Sequence, residues 1–184
     1  ILTGNPVRQK LLSTNVSREV AIKSFGLDPS KKTILIIGGS LGAKTINDSV
    51  LTHLSLIKQS NVQFIWQTGK FYSEQIREEL EKKGKPDNLY VSDFIADMAK
   101  AYKAADLVIS RAGASSISEL CLLGKPCILV PSPNVAEDHQ TKNALALVKK
   151  DAAIYIKDSE AQMALLPKAV STVNEPERLV ALSR

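Results

Sequence analysis

Aromatic residues make up only 5% of this 184-residue chain, with a single tryptophan, so no stacking platform for single-stranded nucleic acid is visible. Cysteine and histidine are equally scarce, at two each. Cys121, Cys127, His53 and His139 do not form a convincing zinc ligand set. The cysteines read as small core residues of a reducing compartment, not as a disulfide. No apolar run approaches the roughly 20 residues that a membrane-spanning helix needs. No signal peptide is visible, and the chain starts "ILTGNP" without methionine, which reads as a start inside a longer protein. Charge of one sign is not concentrated either. The net charge of +5 suits a phosphate-bearing ligand or an anionic surface, but the lysines are scattered and read first as a solvated exterior.

What is present is an ordinary globular composition, 44% hydrophobic and 23% charged. The length fits one sizeable core, and one domain is the simplest reading, since no repeat or linker interrupts it. The runs "TILIIG", "VQFIWQT", "DLVIS" and "CILVP" are dense in Val, Ile and Leu without polar alternation, as strands buried on both faces are. "AAIYIK" reads as a last strand. Between them lie helical patterns. "AKTINDSVLTHLSLI" puts Ile46, Val50 and Leu54 on one face. "SEQIREELEKKG" ends on Gly84 and "SSISELCLLG" on Gly124, both plausible C-terminal caps. "ADMAKAYKAA" and "EDHQTKNALALVKK" complete the alternation. Strand and helix in turn imply a Rossmann-like α/β domain, a parallel sheet with helices on both faces.

Ligands of such sheets sit beyond the carboxyl ends of the strands, so the strand-to-helix turns are the place to look. In "GGSLGA", Gly38, Gly39 and Gly42 allow tight or left-handed turns, and the helix that follows offers free N–H groups to a phosphate. Ser40 adds a hydroxyl. The stretch nearly matches a P-loop, but Ala43-Lys44-Thr45 stands where Gly-Lys-Thr is wanted, and Asp106 precedes its strand instead of ending it. The second turn, "SRAGASSISEL", places Arg111 and Gly113 before a helix. Two such turns on one sheet edge suit a nucleoside diphosphate. Glu119 fits a ribose diol, and equally a capping box with Ser116. Arg111 fits an anionic ligand or a surface ion pair. In "VPSPNVAEDHQTKNA", Gln140 and Asn143 suit a hydroxyl-rich ligand, since amides both donate and accept. His139 has no visible dyad partner. Phe94 and Ile95 of "VSDFIADMAKAY" pack on a base or in the core.

Taken together, "TGNPVR", "GGSLGA", "FIADMAKAYKAADLVISRAGASSISEL", "GKPCILVP" and "EDHQTKNA" occur in an order that resembles the C-terminal half of the MurG family of bacterial transferases. The resemblance runs from about residue 3 to residue 157. It implies one half of a two-domain GT-B fold, with residues 1–184 as the C-terminal UDP-sugar-binding domain. It implies an inverting hexosyl transfer from UDP-N-acetylglucosamine to lipid I, giving lipid II in peptidoglycan synthesis. Arg8 and Ser40, with the turn glycines Gly39 and Gly42, would meet the diphosphate. Ile95 would present its backbone to the uracil, with Arg111 near that base. Glu119 would take the ribose hydroxyls, and Ala114, following the substrate-binding turn residue Gly113, would contribute a backbone N–H near the sugar. Gln140 and Asn143 would bind the N-acetylglucosamine hydroxyls. No cofactor, metal or nucleic acid is expected, and the resemblance implies a full-length protein peripheral on the cytoplasmic face of the membrane. The general base, the lipid I contacts and the membrane-facing patch belong to the N-terminal half, which nothing in this sequence matches. The chain therefore reads as an excised donor domain, inactive alone. The rival readings are a nucleotide-sugar-binding subunit of a two-chain N-acetylglucosaminyltransferase and a P-loop phosphotransferase.

Overall fold

A computed structural model describes residues 16–38, 42–132 and 139–183, without the side chains of Ala114 and Ser115. Six strands form one sheet: β1 (Thr33–Ile36), β2 (Gln63–Gln67), β3 (Leu89–Ser92), β4 (Leu107–Ser110), β5 (Cys127–Leu129) and β6 (Ile154–Tyr155). Their order is β3-β2-β1-β4-β5-β6, and every pairing is parallel. The chain order reverses between β1 and β4, the position where doubly wound sheets open a ligand crevice.

The strands lack polar alternation because both faces are covered. Ile34, Ile36, Phe64, Trp66, Leu107 and Ile109 enter one buried cluster, while Leu35, Ile37, Ile65 and Val108 enter the other. The first layer of helices comprises α2 (Lys44–Thr52), α3 (Leu54–Gln59), α4 (Ser73–Lys83), α8 (Asp158–Val173) and α9 (Pro176–Leu182). The second comprises α1 (Arg18–Ser24), α5 (Met98–Ala104), α6 (Ala114–Leu123) and α7 (His139–Lys149). At roughly 25 cal/mol per Å² of apolar surface, burial on both faces is the main force holding the sheet.

Local signals set the ends. Ser17 caps α1, its hydroxyl accepting from the Val20 amide at 3.2 Å. Gly124 closes α6 with a left-handed φ of 62°. The long helix expected over residues 43–57 is two helices, broken at His53, whose ring Nδ1 lies 2.9 Å from the Ser49 carbonyl. Cys127 is buried as expected, but Cys121 is exposed on α6 and is not a core residue. No described helix is long and apolar enough to cross a membrane.

Candidate functional site

The first turn leads from β1 into α2. Gly42 has φ +101°, and a side-chain carbon there would lie 2.3 Å from the Thr68 carbonyl oxygen. Only glycine lets the chain press against the β2 exit at this point. Just inside α2, Asn47 is 4% exposed and bonded through both amide atoms: its Oδ1 accepts from Trp66 Nε1 and its Nδ2 donates to the Thr68 carbonyl, both at 2.9 Å. These contacts aim the amino end of α2, capped by Ala43 without a side-chain bond, at the crevice. Gly39, Ser40 and Arg8 lie outside the described residues, so their diphosphate roles stay expectations.

The same turn argues against a P-loop. Lys44 pairs with Asp48 on its own helix at 2.8 Å. Asp106 sits at the amino end of β4, accepting from Arg18 at 2.6 Å and from the Thr33 amide at 2.8 Å. It is therefore at the wrong sheet edge for a magnesium carboxylate. Among the described residues no group of His, Cys, Asp and Glu could hold a metal ion.

At the β4 exit, Arg111 turns toward the α2 and α8 layer. Its Nη1 donates to Asp158 Oδ1 at 2.6 Å and to the carbonyls of Val130 and Pro131 at 3.2 Å each. Asp158 Oδ2 in turn accepts from Thr45 Oγ1 at 3.1 Å. The guanidinium expected beside the base thus lies next to the first turn of α2. Beyond it, the amide nitrogen of Gln140 comes within 3.9 Å of where a side chain on Gly113 would begin. Gln140 Oε1 accepts from the Ser132 amide at 3.0 Å, and Asn143 Nδ2 reaches the Ala112 carbonyl at 3.5 Å. The second and third turns therefore meet through the two amide residues expected to read sugar hydroxyls. Ala114 begins α6, directly after its cap Gly113.

On the other face, Ile95 is buried and its amide donates to Gln67 Oε1 at 2.8 Å. No described residue donates to its carbonyl. Phe94 stays 47% exposed, with Lys70 Nζ 5.4 Å from its ring centre. Glu119 does not form a capping box, because the helix starts at Ala114 and Ser116 already lies inside it. Its Oε1 accepts instead from the Tyr102 hydroxyl at 2.9 Å. Burial, reinforced by the Glu119 charge, pushes the Tyr102 phenol well above its usual range. Sequence reading missed Gln67, Tyr102 and Asp158; only the polar end of "FIWQT" offered a signal, for Gln67.

A doubly wound parallel sheet whose strand exits gather a glycine turn, a cation and two amides has the form of one half of a GT-B glycosyltransferase. The chain belongs to glycosyltransferase family 28, the C-terminal domain of which matches residues 33–182. It is 68% identical over 183 residues to a UDP-N-acetylglucosamine--N-acetylmuramyl-(pentapeptide) pyrophosphoryl-undecaprenol N-acetylglucosamine transferase of Phocaeicola vulgatus, covering 100% of this chain and 49% of that protein. A Porphyromonas gingivalis protein of the same name is 53% identical over 185 residues, with 48% of it covered. The crystal structure of Acinetobacter baumannii MurG superposes with a TM-score of 0.72 at 32% identity, over 94% of this chain and 49% of that one. The C-terminal domain of a Francisella tularensis glycosyl transferase, LpcC, shares the fold alone, with a TM-score of 0.62 at 12% identity over 96% of this chain and 92% of that one. The chain spans about half the length of the curated relatives it matches.

Proposed function

We propose that residues 1–184 are the donor-binding half of an inverting N-acetylglucosaminyltransferase that converts lipid I to lipid II. The observation that carries this reading is the meeting of Arg111, Gly113, Gln140 and Asn143 at the exits of β4 and β5, with Gly42 at the exit of β1, in a chain so similar to transferases of that name.

The uridine lies toward Ile95, with the ribose diol on Glu119. The diphosphate lies over the amino end of α2, met by Arg111 and, as the resemblance implies, by Ser40 and Arg8. The sugar hydroxyls meet Gln140 and Asn143, with the backbone of Gly113 and Ala114 alongside. In the reaction, the acceptor's 4-hydroxyl attacks the anomeric carbon, and the bond to the UDP oxygen breaks. Negative charge grows on the leaving diphosphate. Helix amides and a guanidinium fixed before the reaction stabilise that charge without reorganising, which is this half's share of catalysis. The base that takes the hydroxyl proton belongs to the acceptor half, as do the lipid I contacts. The same half carries the peripheral contact with the cytoplasmic face of the membrane.

Calorimetry on the chain tests the reading. UDP and UDP-N-acetylglucosamine are expected to bind weakly without magnesium, and ADP more weakly still. Equal affinity for ADP, or binding only of magnesium-ATP, would overturn it. Lipid II synthesis by this chain alone would remove the assignment of the base to another half.

A further inference from the structure

Asp158 opens α8 and belongs to none of the turns from which the donor site was assembled. An acidic residue in a first helical turn ordinarily complements the helix dipole, and Glu160 in the same turn is placed to do so. Asp158 makes bonds that this role does not need. Its two oxygens accept from Arg111 Nη1 at 2.6 Å and from Thr45 Oγ1 at 3.1 Å. The Arg111 and Asp158 side chains are only 18% and 15% exposed. One carboxylate therefore joins the β4 exit to the first turn of α2 from a third element. With the Val130 and Pro131 carbonyls also on Nη1, that nitrogen is saturated. The donors on Nη2 and Nε make no hydrogen bond to any described residue.

We propose that Asp158 is a positioning residue for the diphosphate of the donor, an inference that rests on the donor-site reading above. It pins one end of the Arg111 fork, so that the remaining donors and the free amides of α2 keep a fixed spacing. A pyrophosphate is the ligand class that uses both, because its oxygens accept from a helix amino end and from a guanidinium together. A fork already fixed loses less side-chain freedom on binding than a mobile one. The opposite effect is also physically defined: a carboxylate that merely competed with phosphate for Arg111 would weaken binding. The sign of the change on removing it decides between the two.

The test measures UDP by calorimetry and uridine by NMR titration, on the chain and on Asp158→Ala, Asp158→Asn and Thr45→Val. Asp158→Ala is expected to lose about tenfold or more in UDP affinity, the scale of one charge-assisted phosphate bond. Its uridine affinity should match the parent chain. Asp158→Asn should fall between the two, since it keeps an acceptor without the charge. Thr45→Val should show a smaller loss confined to UDP, and these two variants carry the test if the alanine variant does not fold. Unchanged or tighter UDP binding overturns the proposal. A parallel loss of uridine assigns Asp158 a purely structural role and overturns it as well. A parent chain that binds neither ligand defeats the donor-site reading itself.

Discussion

The Tyr102 hydroxyl donates a 2.9 Å hydrogen bond to Glu119 Oε1, joining α5 to α6 and fixing one oxygen of the carboxylate. Tyr102 is 2% exposed, and its raised pKa keeps the phenol a donor at any working pH. Glu119 Oε2 makes no bond to the described residues, which leaves it open for the ribose diol that the proposed function assigns to Glu119. Glu119→Ala should therefore act twice. UDP affinity should fall by about tenfold or more, and stability by about 1–3 kcal/mol as the buried phenol loses its acceptor. Tyr102→Phe should cost about 1 kcal/mol of stability and only a few-fold in UDP affinity, because Oε2 keeps its chemistry. Calorimetry with UDP and urea unfolding measure the two effects separately. Equal UDP affinity in Glu119→Ala would remove Glu119 from the site.

Two glycines of the site differ in what they require. Gly42 has φ +101°, and an added carbon would stand 2.3 Å from the Thr68 oxygen and 2.9 Å from the Tyr72 ring. Gly113 has φ −68°, and its nearest neighbour would be Gln140 Nε2 at 3.9 Å, an ordinary contact. Gly42→Ala should lose at least about 2 kcal/mol of stability, and UDP binding with it, since α2 must move. Gly113→Ala should stay within about 1 kcal/mol of the parent chain. Its effect should appear on UDP-N-acetylglucosamine more than on UDP, because the Gln140 amide lies against it. Thermal unfolding and paired titrations check both.

The contrast shows what the sequence carried and what it did not. Glycine positions, apolar strand runs and helix caps are local signals, and the sheet with its turns was legible from them. Gln140 and Asn143 stood out as amides in a polar helix start, and the structure bonds them to the Ser132 amide and the Ala112 carbonyl. The direction of Arg111 was not legible. It depends on Asp158, 47 residues away in sequence and brought near only by the β6–α8 connection. The Tyr102–Glu119 bond spans 17 residues across two helices, while the Ser116–Glu119 spacing offered a local alternative that the true start of α6 removes. The break at His53 was hidden because the apolar spacing runs through it unchanged.

Lys44 separates the transferase reading from the phosphotransferase one. Its ammonium bonds Asp48 on the exposed side of α2, with 70% and 34% of the two side chains in water. Such a pair contributes about 0.3–0.5 kcal/mol at most. Lys44→Ala should change stability by no more than about 0.5 kcal/mol and UDP affinity by less than about twofold. Magnesium-dependent ATP binding that disappears in this variant would reverse the assignment.

Two neighbouring groups should shape the alkaline stability curve. Lys125, between α6 and β5, donates to the Ala105 carbonyl at 2.8 Å, and burial pushes its pKa down from 10.5 to about 8 despite the pull of Asp106. Burial pushes the Cys127 thiol up from 9.0 to about 12. Between pH 8 and 10.5 the unfolded chain holds the lysine proton that the folded chain has released, so stability rises with pH. Above pH 9.0 the unfolded chain has lost a thiol proton that the folded chain keeps, so stability falls with pH. Each slope is about 1.4 kcal/mol per pH unit, and where they overlap they cancel. Tyr102, also raised, adds to the fall above pH 10.0. Urea unfolding should therefore show a gain of about 1 kcal/mol from pH 8 to 9, a plateau, and then a decline. Lys125→Met should abolish the gain, because the buried ammonium is gone. Cys127→Ala should turn the plateau into a continued rise, because only the lysine still titrates there. A parent chain with constant stability from pH 8 to 9 would show that the Lys125 ammonium reaches water in the folded protein.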